Sequence, residues 1–199
     1  MDRHLIPLRT LREAAPNSFI YEQSQALDPR FCAELITRFE ACPEQQYPGR
    51  IGQTAETQLA IKRSTDLVIS GKPEWADADR FLFRSLGRAI VELRERVTFF
   101  KGPFKDMGYA LQRTQPGEFY HWHIDGGSHE FSQRQLVAVW YLNDVPGPGG
   151  TTDFLYQQVK IQPEIGKLLL FPPFWTHEHR GATLEIGVKY IATTWVVFA

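Results

Sequence analysis

The sequence holds little that could staple it, anchor it or steer it from outside. Only two of its 199 residues are cysteine, Cys32 and Cys42. Lying ten apart around one expected helix, they point to different sides and form neither a disulfide framework nor a Cys-x-x-Cys site, so two reduced thiols are expected. No apolar run approaches the roughly 20 residues of a membrane-spanning helix, and stretches such as Lys167-Leu168-Leu169-Leu170-Phe171 fall far short. Met1-Asp2-Arg3-His4-Leu5-Ile6-Pro7 lacks the apolar segment of a secretory signal, so a cytoplasmic address and no membrane contact are expected. Neither sign of charge is in excess: 22 Lys and Arg against 23 Asp and Glu give a net charge of −1. No global field gathers a polyanion, and nucleic acid is not an expected partner. Internal repeats and low-complexity tracts are absent.

What remains is the composition of an ordinary folded chain, with 43% hydrophobic and 23% charged residues. A chain of this length buries roughly 70% of its unfolded surface in one core, so a bound metal would serve chemistry and not folding. Asp28-Pro29 reads as an N-cap and first helical residue, and Phe31, Leu35, Ile36 and Phe39 follow on one face of a helix over 29–41. Arg50 to Thr65 is polar loop, followed by a strand near Asp66–Ile69. From Asp77, the residues Phe83, Leu86, Ile90, Leu93 and Val97 repeat at helical spacing until Gly102-Pro103. After Gly108 the period turns to alternation, with strands at Leu136–Leu142, Lys167–Phe171 and Lys189–Phe198. The turn clusters Pro146-Gly147-Pro148-Gly149-Gly150 and Phe171-Pro172-Pro173 punctuate them, as in an antiparallel sandwich or barrel. The expected class is α+β: residues 1–106 form an N-terminal helical support within the same domain as a β core over 107–199.

Aromatics make up 13% of the chain, and five of the six histidines follow position 120. In His123-Ile124-Asp125 an extended backbone turns the imidazole and the carboxylate to one side, a spacing suited to a shared metal ion. Phe174-Trp175-Thr176-His177-Glu178-His179 adds two histidines at the exit of an apolar strand. Two imidazoles and one carboxylate make a facial triad that suits Fe(II) and leaves positions open, and a zinc hydrolase could use a similar set. Lys189 opens a strand that otherwise reads as buried, where an ammonium is costly unless an anion meets it. Lys189, Ile191, Thr193 and Trp195 share one face of that strand, which suits a carboxylate pocket.

Gln115-Pro116-Gly117-Glu118-Phe119-Tyr120-His121-Trp122-His123-Ile124-Asp125 resembles the Pro-Gly…Tyr-x-x-His-x-Asp segment of the Fe(II)- and 2-oxoglutarate-dependent dioxygenases, in their prolyl 4-hydroxylase-like branch. Trp140-Tyr141-Leu142-Asn143 and Gly149-Gly150-Thr151-Thr152-Asp153-Phe154 are similar to that family's Tyr-Leu-Asn and Gly-Gly-x-Thr-x-Phe stretches. Lys167-Leu168-Leu169-Leu170-Phe171-Pro172 looks like its strand before the distal histidine. The ten residues from His179 to Lys189, with Gly187 between them, match its spacing from last iron ligand to cosubstrate base.

The resemblance, over residues 107–198, implies a double-stranded β-helix (jelly roll) core. It implies Fe(II) held by His123, Asp125 and His179, and Lys189 paired with the distal carboxylate of 2-oxoglutarate. Tyr141 and Thr193 would assist that carboxylate, and Trp195 would wall the iron pocket. Dioxygen would be the oxidant and ascorbate a further candidate cofactor. The implied reaction hydroxylates an unactivated C–H bond of a prolyl peptide or an amino-acid-like small molecule, with release of succinate and CO2. Asp125, being a ligand and not a small residue, argues against halogenation. His177, twelve residues before Lys189, breaks the spacing and is read as supporting or substrate-facing. His121 and His129 have no matching role. The region Thr114-Gln115 stands where the family often has a tyrosine, and Arg50–Thr65 and Gly126–Gln135 are the loops that could cover the cleft. A cupin-type enzyme built on His121-Trp122-His123 would need an acid nearer than Glu130. A nucleic-acid demethylase would carry arginine where this chain has Lys189. A non-enzymatic module binding metal or oxygen on the same scaffold is the remaining alternative.

Overall fold

The computed structural model describes residues 11–52 and 56–199. The start at Met1–Pro7, where no leader is read, and part of the Arg50–Thr65 segment lie outside the described residues.

In chain order the elements are β1 (Arg12–Glu13), β2 (Tyr21–Gln23), α1 (Pro29–Glu40), β3 (Tyr47–Pro48), β4 (Thr65–Val68), α2 (Ala76–Arg96), β5 (Phe104–Asp106), β6 (Ala110–Thr114) and β7 (Tyr120–His123). There follow β8 (Arg134–Tyr141), β9 (Thr152–Phe154), β10 (Val159–Ile161), β11 (Leu168–Phe171), β12 (His179–Gly181) and β13 (Lys189–Phe198). The strands form two antiparallel sheets. The larger runs β1-β2-β11-β8-β13-β6-β4-β3, with β5 also paired to β13, and the smaller runs β10-β9-β12-β7.

Alternation along the central strands builds two separate cores. Leu136, Ala138 and Trp140 of β8, Leu168 and Leu170 of β11, and Ala192 and Val196 of β13 pack against Cys32, Leu35 and Phe39 of α1 and Leu82, Leu86, Ala89 and Leu93 of α2. The intervening residues Val137, Val139, Tyr141, Leu169 and Phe171 face the other way, against Phe154 and Ile161 of the smaller sheet. The larger sheet therefore has helices on one face and the second sheet on the other, a jelly-roll-like arrangement that leaves room for a cavity between the sheets.

Helix α1 starts as its sequence predicts: Asp28 Oδ1 accepts from the Arg30 N–H at 2.7 Å and Pro29 takes the first turn. Helix α2 departs from expectation twice. It stops at Arg96, well before Gly102, and its buried face is Ala78, Leu82, Ser85, Leu86, Ala89 and Leu93, leaving Phe83 57% exposed. Small residues are what let α2 approach the sheet: Ser85 Oγ accepts from Trp140 Nε1 at 3.0 Å and donates to Ala26 O at 3.1 Å. Ser85→Ala leaves the Trp140 indole N–H buried and unpaired, so a loss of about 1–3 kcal/mol is expected. A lowered urea midpoint at unchanged denaturant slope checks it. The N-terminal half is also less purely helical than its composition suggests, since β2 pairs with β11 and β4 with β6, lengthening the core sheet at both ends.

Candidate active site

β7 and β12 lie side by side with His123 directly opposite His179, so the histidine that ends one strand meets the histidine that begins the other. Just after β7 the chain turns, and the N–H groups of Asp125 and Gly126 both donate to Pro173 O, at 3.1 and 2.8 Å. That hold brings the Asp125 carboxylate between the imidazoles: Oδ2 is 3.4 Å from His179 Nε2 and Oδ1 is 3.9 Å from His123 Nε2. Ligand atoms of His123, Asp125 and His179 all lie within 4.8 Å of one another. Arg134 Nη1 donates to Asp125 O at 2.7 Å, and its guanidinium carbon lies over the rings of Phe131 and Trp195 at 3.9 and 3.8 Å from their centroids.

The hydrogen bonds fix which nitrogens are free. His123 Nδ1 donates to His121 O at 2.7 Å and His179 Nδ1 donates to His177 O at 2.9 Å, so each Nε2 keeps its lone pair beside the carboxylate. Burial, with His179 alongside, pushes His123 down to about 3, leaving it a neutral ligand at physiological pH. Burial works against ionising Asp125, but His179 and His123 beside it, together with Arg134, hold its carboxyl well below the usual range. Two imidazoles and one carboxylate with their donor atoms converging fit a divalent first-row metal.

These side chains open onto a cavity of about 130 Å³ between the sheets, walled also by Lys189, Ile191, Thr193 and Trp195. The whole expected face of β13 is therefore brought to one place. Lys189 is 6% exposed and, among the described residues, its Nζ donates only to Gly150 O, at 3.0 Å. An ammonium has three donors, so two are unspent. Burial pushes Lys189 down to about 8, with Asp153 partly opposing. That carboxylate is itself engaged by Arg180 at 2.9 Å and by Thr151 at 2.6 Å. Tyr141 is set behind the wall: its hydroxyl shares a 2.7 Å hydrogen bond with Thr152, and it is Thr152 that reaches the cavity. The Trp195 indole N–H is buried without a partner among the described residues.

His177 is turned away from the metal-type cluster. Its Nε2 donates to Ser18 O at 2.8 Å, while its backbone carbonyl orients His179. His177→Ala is accordingly expected to cost stability, about 1–3 kcal/mol from the orphaned Ser18 carbonyl, and to leave metal binding within about 10-fold of wild type. Thermal melting and metal titration of the same preparation check the two halves. His121 and His129 are exposed, outside the cavity wall.

Several residues escaped the sequence reading. Tyr120 stacks on the His123 ring at 3.5 Å and 16°. Gln112 of β6 lines the cavity, and with it Thr114, from the Thr114-Gln115 region that stands where the family often has a tyrosine. From the segment expected to be loop come Arg50, Lys62, Arg63 and Ser64, and Lys62 forms a buried ion pair with Asp66 at 2.7 Å. A lysine and an aspartate four apart were the only signal, and in a polar stretch that pattern usually marks a solvated face.

Comparison with known proteins converges on the same part of the chain. Residues 109–197 match the model of the 2OG-Fe(II) oxygenase superfamily. A probable prolyl 4-hydroxylase from Arabidopsis thaliana is 26% identical over 91% of this chain, which spans 66% of that relative's length. A prolyl hydroxylase from Trichoplax adhaerens, solved with a hypoxia inducible factor oxygen degradation domain peptide fragment, aligns with a TM-score of 0.77 at 17% identity, covering 91% of this chain and 84% of that one. A viral collagen prolyl hydroxylase from Paramecium Bursaria Chlorella virus-1, solved with 2OG, aligns at 0.68 and 18% identity, covering 92% and 98%. The core over residues 109–197 is thus similar to the 2OG-Fe(II) oxygenase superfamily, and most of the chain is similar to a probable prolyl 4-hydroxylase.

Proposed function

We propose that the chain is an Fe(II)- and 2-oxoglutarate-dependent hydroxylase on a double-stranded β-helix core, acting on a C–H bond of a prolyl peptide or an amino-acid-like substrate. One observation carries the reading: two free Nε2 atoms and a carboxylate converge at one end of a cavity whose wall also holds a buried, under-partnered lysine. His123, Asp125 and His179 would hold the iron. Lys189 would receive the distal carboxylate of 2-oxoglutarate, with Thr193 lining the same cavity and Tyr141 acting through Thr152. Trp195 and Phe171 keep water from the iron side of the cavity. Bound together, Fe(II) and 2-oxoglutarate would supply oxygen activation, releasing succinate and CO2, with ascorbate as an auxiliary reductant. The protein's own part is placement: the His121 and His177 carbonyls fix the imidazoles, and Arg134 fixes the Asp125 loop.

A peptide substrate is supported by the similar solved proteins, which include a viral collagen prolyl hydroxylase and a prolyl hydroxylase in complex with a peptide fragment. The test is anaerobic: purified protein with Fe(II) and 2-oxoglutarate should show a metal-to-ligand charge-transfer band, and succinate should form on admitting air. Iron-loaded protein that shows neither sinks the proposal.

A further inference from the structure

The charges on the cavity wall do not cancel. Arg50, Lys62, Arg63 and Lys189 line it against the single carboxylate of Asp125. Asp125 belongs with the imidazoles and Lys189 with the cosubstrate under the proposed function. Lys62 is neutralised locally, since Asp66 accepts from its Nζ at 2.7 Å and from Ser64 Oγ at 2.7 Å. Arg50 and Arg63 are what is left. Both are exposed, and neither is in an ion pair among the described residues.

They are nevertheless held. Arg63 N donates to Phe119 O and His121 N to Ile61 O, each at 2.8 Å, which stitches the Arg63 segment to the run that leads into His123. Arg63 Nε donates to Leu59 O at 3.0 Å and its guanidinium lies 5.5 Å from the centre of the Phe119 ring. On the facing side Gly49 N donates to Ser64 O at 2.8 Å. A Cβ at Gly49 would run into Ser64 Oγ and lie 2.9 Å from Lys62 Cε, so glycine lets the Arg50 segment come this close without displacing either side chain. The Arg50 guanidinium rests 4.5 Å from the centre of the Tyr47 ring. Two guanidinium groups, oriented by aromatic faces and fixed relative to the metal-type cluster, present open N–H donors at the cavity. Their planar forks match a carboxylate better than any neutral group.

We propose, resting on the hydroxylase reading, that Arg50 and Arg63 form a carboxylate receptor at the cavity mouth, so that the molecule oxidised carries an anionic carboxylate near the reacting carbon. Two sources offer that chemistry: an acidic side chain next to the target residue in a peptide, or the α-carboxylate of a chain end or free amino acid. Two arginines on a chain of net charge −1 make no stripe for nucleic acid.

The test uses metal-free full-length protein and fluorescently labelled alanine-rich peptides with one central proline, read by anisotropy. One pair differs by Asp against Asn beside the proline, with both C-termini amidated. The other differs by a free against an amidated carboxyl on a C-terminal proline. At least one acidic member should bind about 10- to 100-fold tighter than its neutral partner, the charge-assisted range, with the gap narrowing as salt is raised. The pair that shows it identifies the source. Arg50→Gln/Arg63→Gln should erase the gap while neutral-peptide affinity stays put, and Arg63→Gln alone should narrow it, each at a wild-type melting midpoint. Equal binding within both pairs, including none detectable, overturns the receptor, as does a preference that survives the double substitution. The charge-transfer band is measured separately, so its absence would defeat the hydroxylase reading without touching this comparison.

Discussion

His179→Ala should lose metal-dependent behaviour altogether. Removing this imidazole leaves one nitrogen and one carboxylate, and affinity for Fe(II) or its stand-in Mn(II) should fall by more than the roughly 100-fold upper range seen when only supporting groups are changed. Stability gives a readout independent of turnover. A metal that binds only the folded protein adds about 2.7 kcal/mol at 100 times its dissociation constant, so wild-type protein should melt higher with Mn(II) and the variant should not respond. Turnover should fall to background in parallel. His177→Ala makes the comparison sharp, because both residues are buried histidines two apart and only one presents a free Nε2 to Asp125. If His177→Ala abolishes the metal-induced rise and His179→Ala keeps it, the ligand assignment is wrong.

Lys189→Met should separate cosubstrate binding from metal binding. Deleting one partner of a buried charge pair costs about 2–5 kcal/mol, so the apparent constant for 2-oxoglutarate should rise at least about 30-fold at 1.4 kcal/mol per tenfold. Metal affinity should stay near wild type. The same change should stabilise the ligand-free protein, which no longer buries an ammonium satisfied by a single carbonyl. The pH dependence has a definite sign. Lys189 titrates near 8 when folded against an ordinary 10.5. The unfolded chain therefore binds more protons between those values, and the penalty present below pH 8 is relieved as pH rises through that window. Wild type minus Lys189→Met, compared by urea unfolding from pH 7 to 10.5, should show a deficit that shrinks with pH. A flat difference, or an unchanged constant for 2-oxoglutarate, removes Lys189 from the cosubstrate site.

The β half was legible because alternation and chemistry coincide there. The strand over Lys189–Phe198 is found with the bounds its pattern predicts, and its odd-numbered face reaches the cavity together with His123, Asp125 and His179. What was hidden depends on long-range pairing that no local period encodes. Phe83 reads as core by spacing, yet α2 turns its small residues to the sheet because Ser85 must reach Trp140. Arg50 to Thr65 has no hydrophobic rhythm, and its described residues Ile61, Arg63 and Ser64 are held by backbone bonds with His121, Phe119 and Gly49 that only the folded chain supplies. Tyr120 sits inside the motif that flags His123, but its stacking is a matter of three dimensions.

The position of β13 has one further consequence. It is bonded along its length to β8 on one side and to β6 and β5 on the other, whereas the Arg50 segment hangs from the two-residue edge strand β3. Amide hydrogen exchange should therefore be graded across a single cavity: slowest at Lys189 to Thr194, approaching the global unfolding limit, and faster by orders of magnitude at 49–52. The wall that would hold the cosubstrate opens only when the whole molecule does, while the wall facing the substrate can breathe on its own, so recognition could be re-tuned by substitutions that leave the global fold untouched.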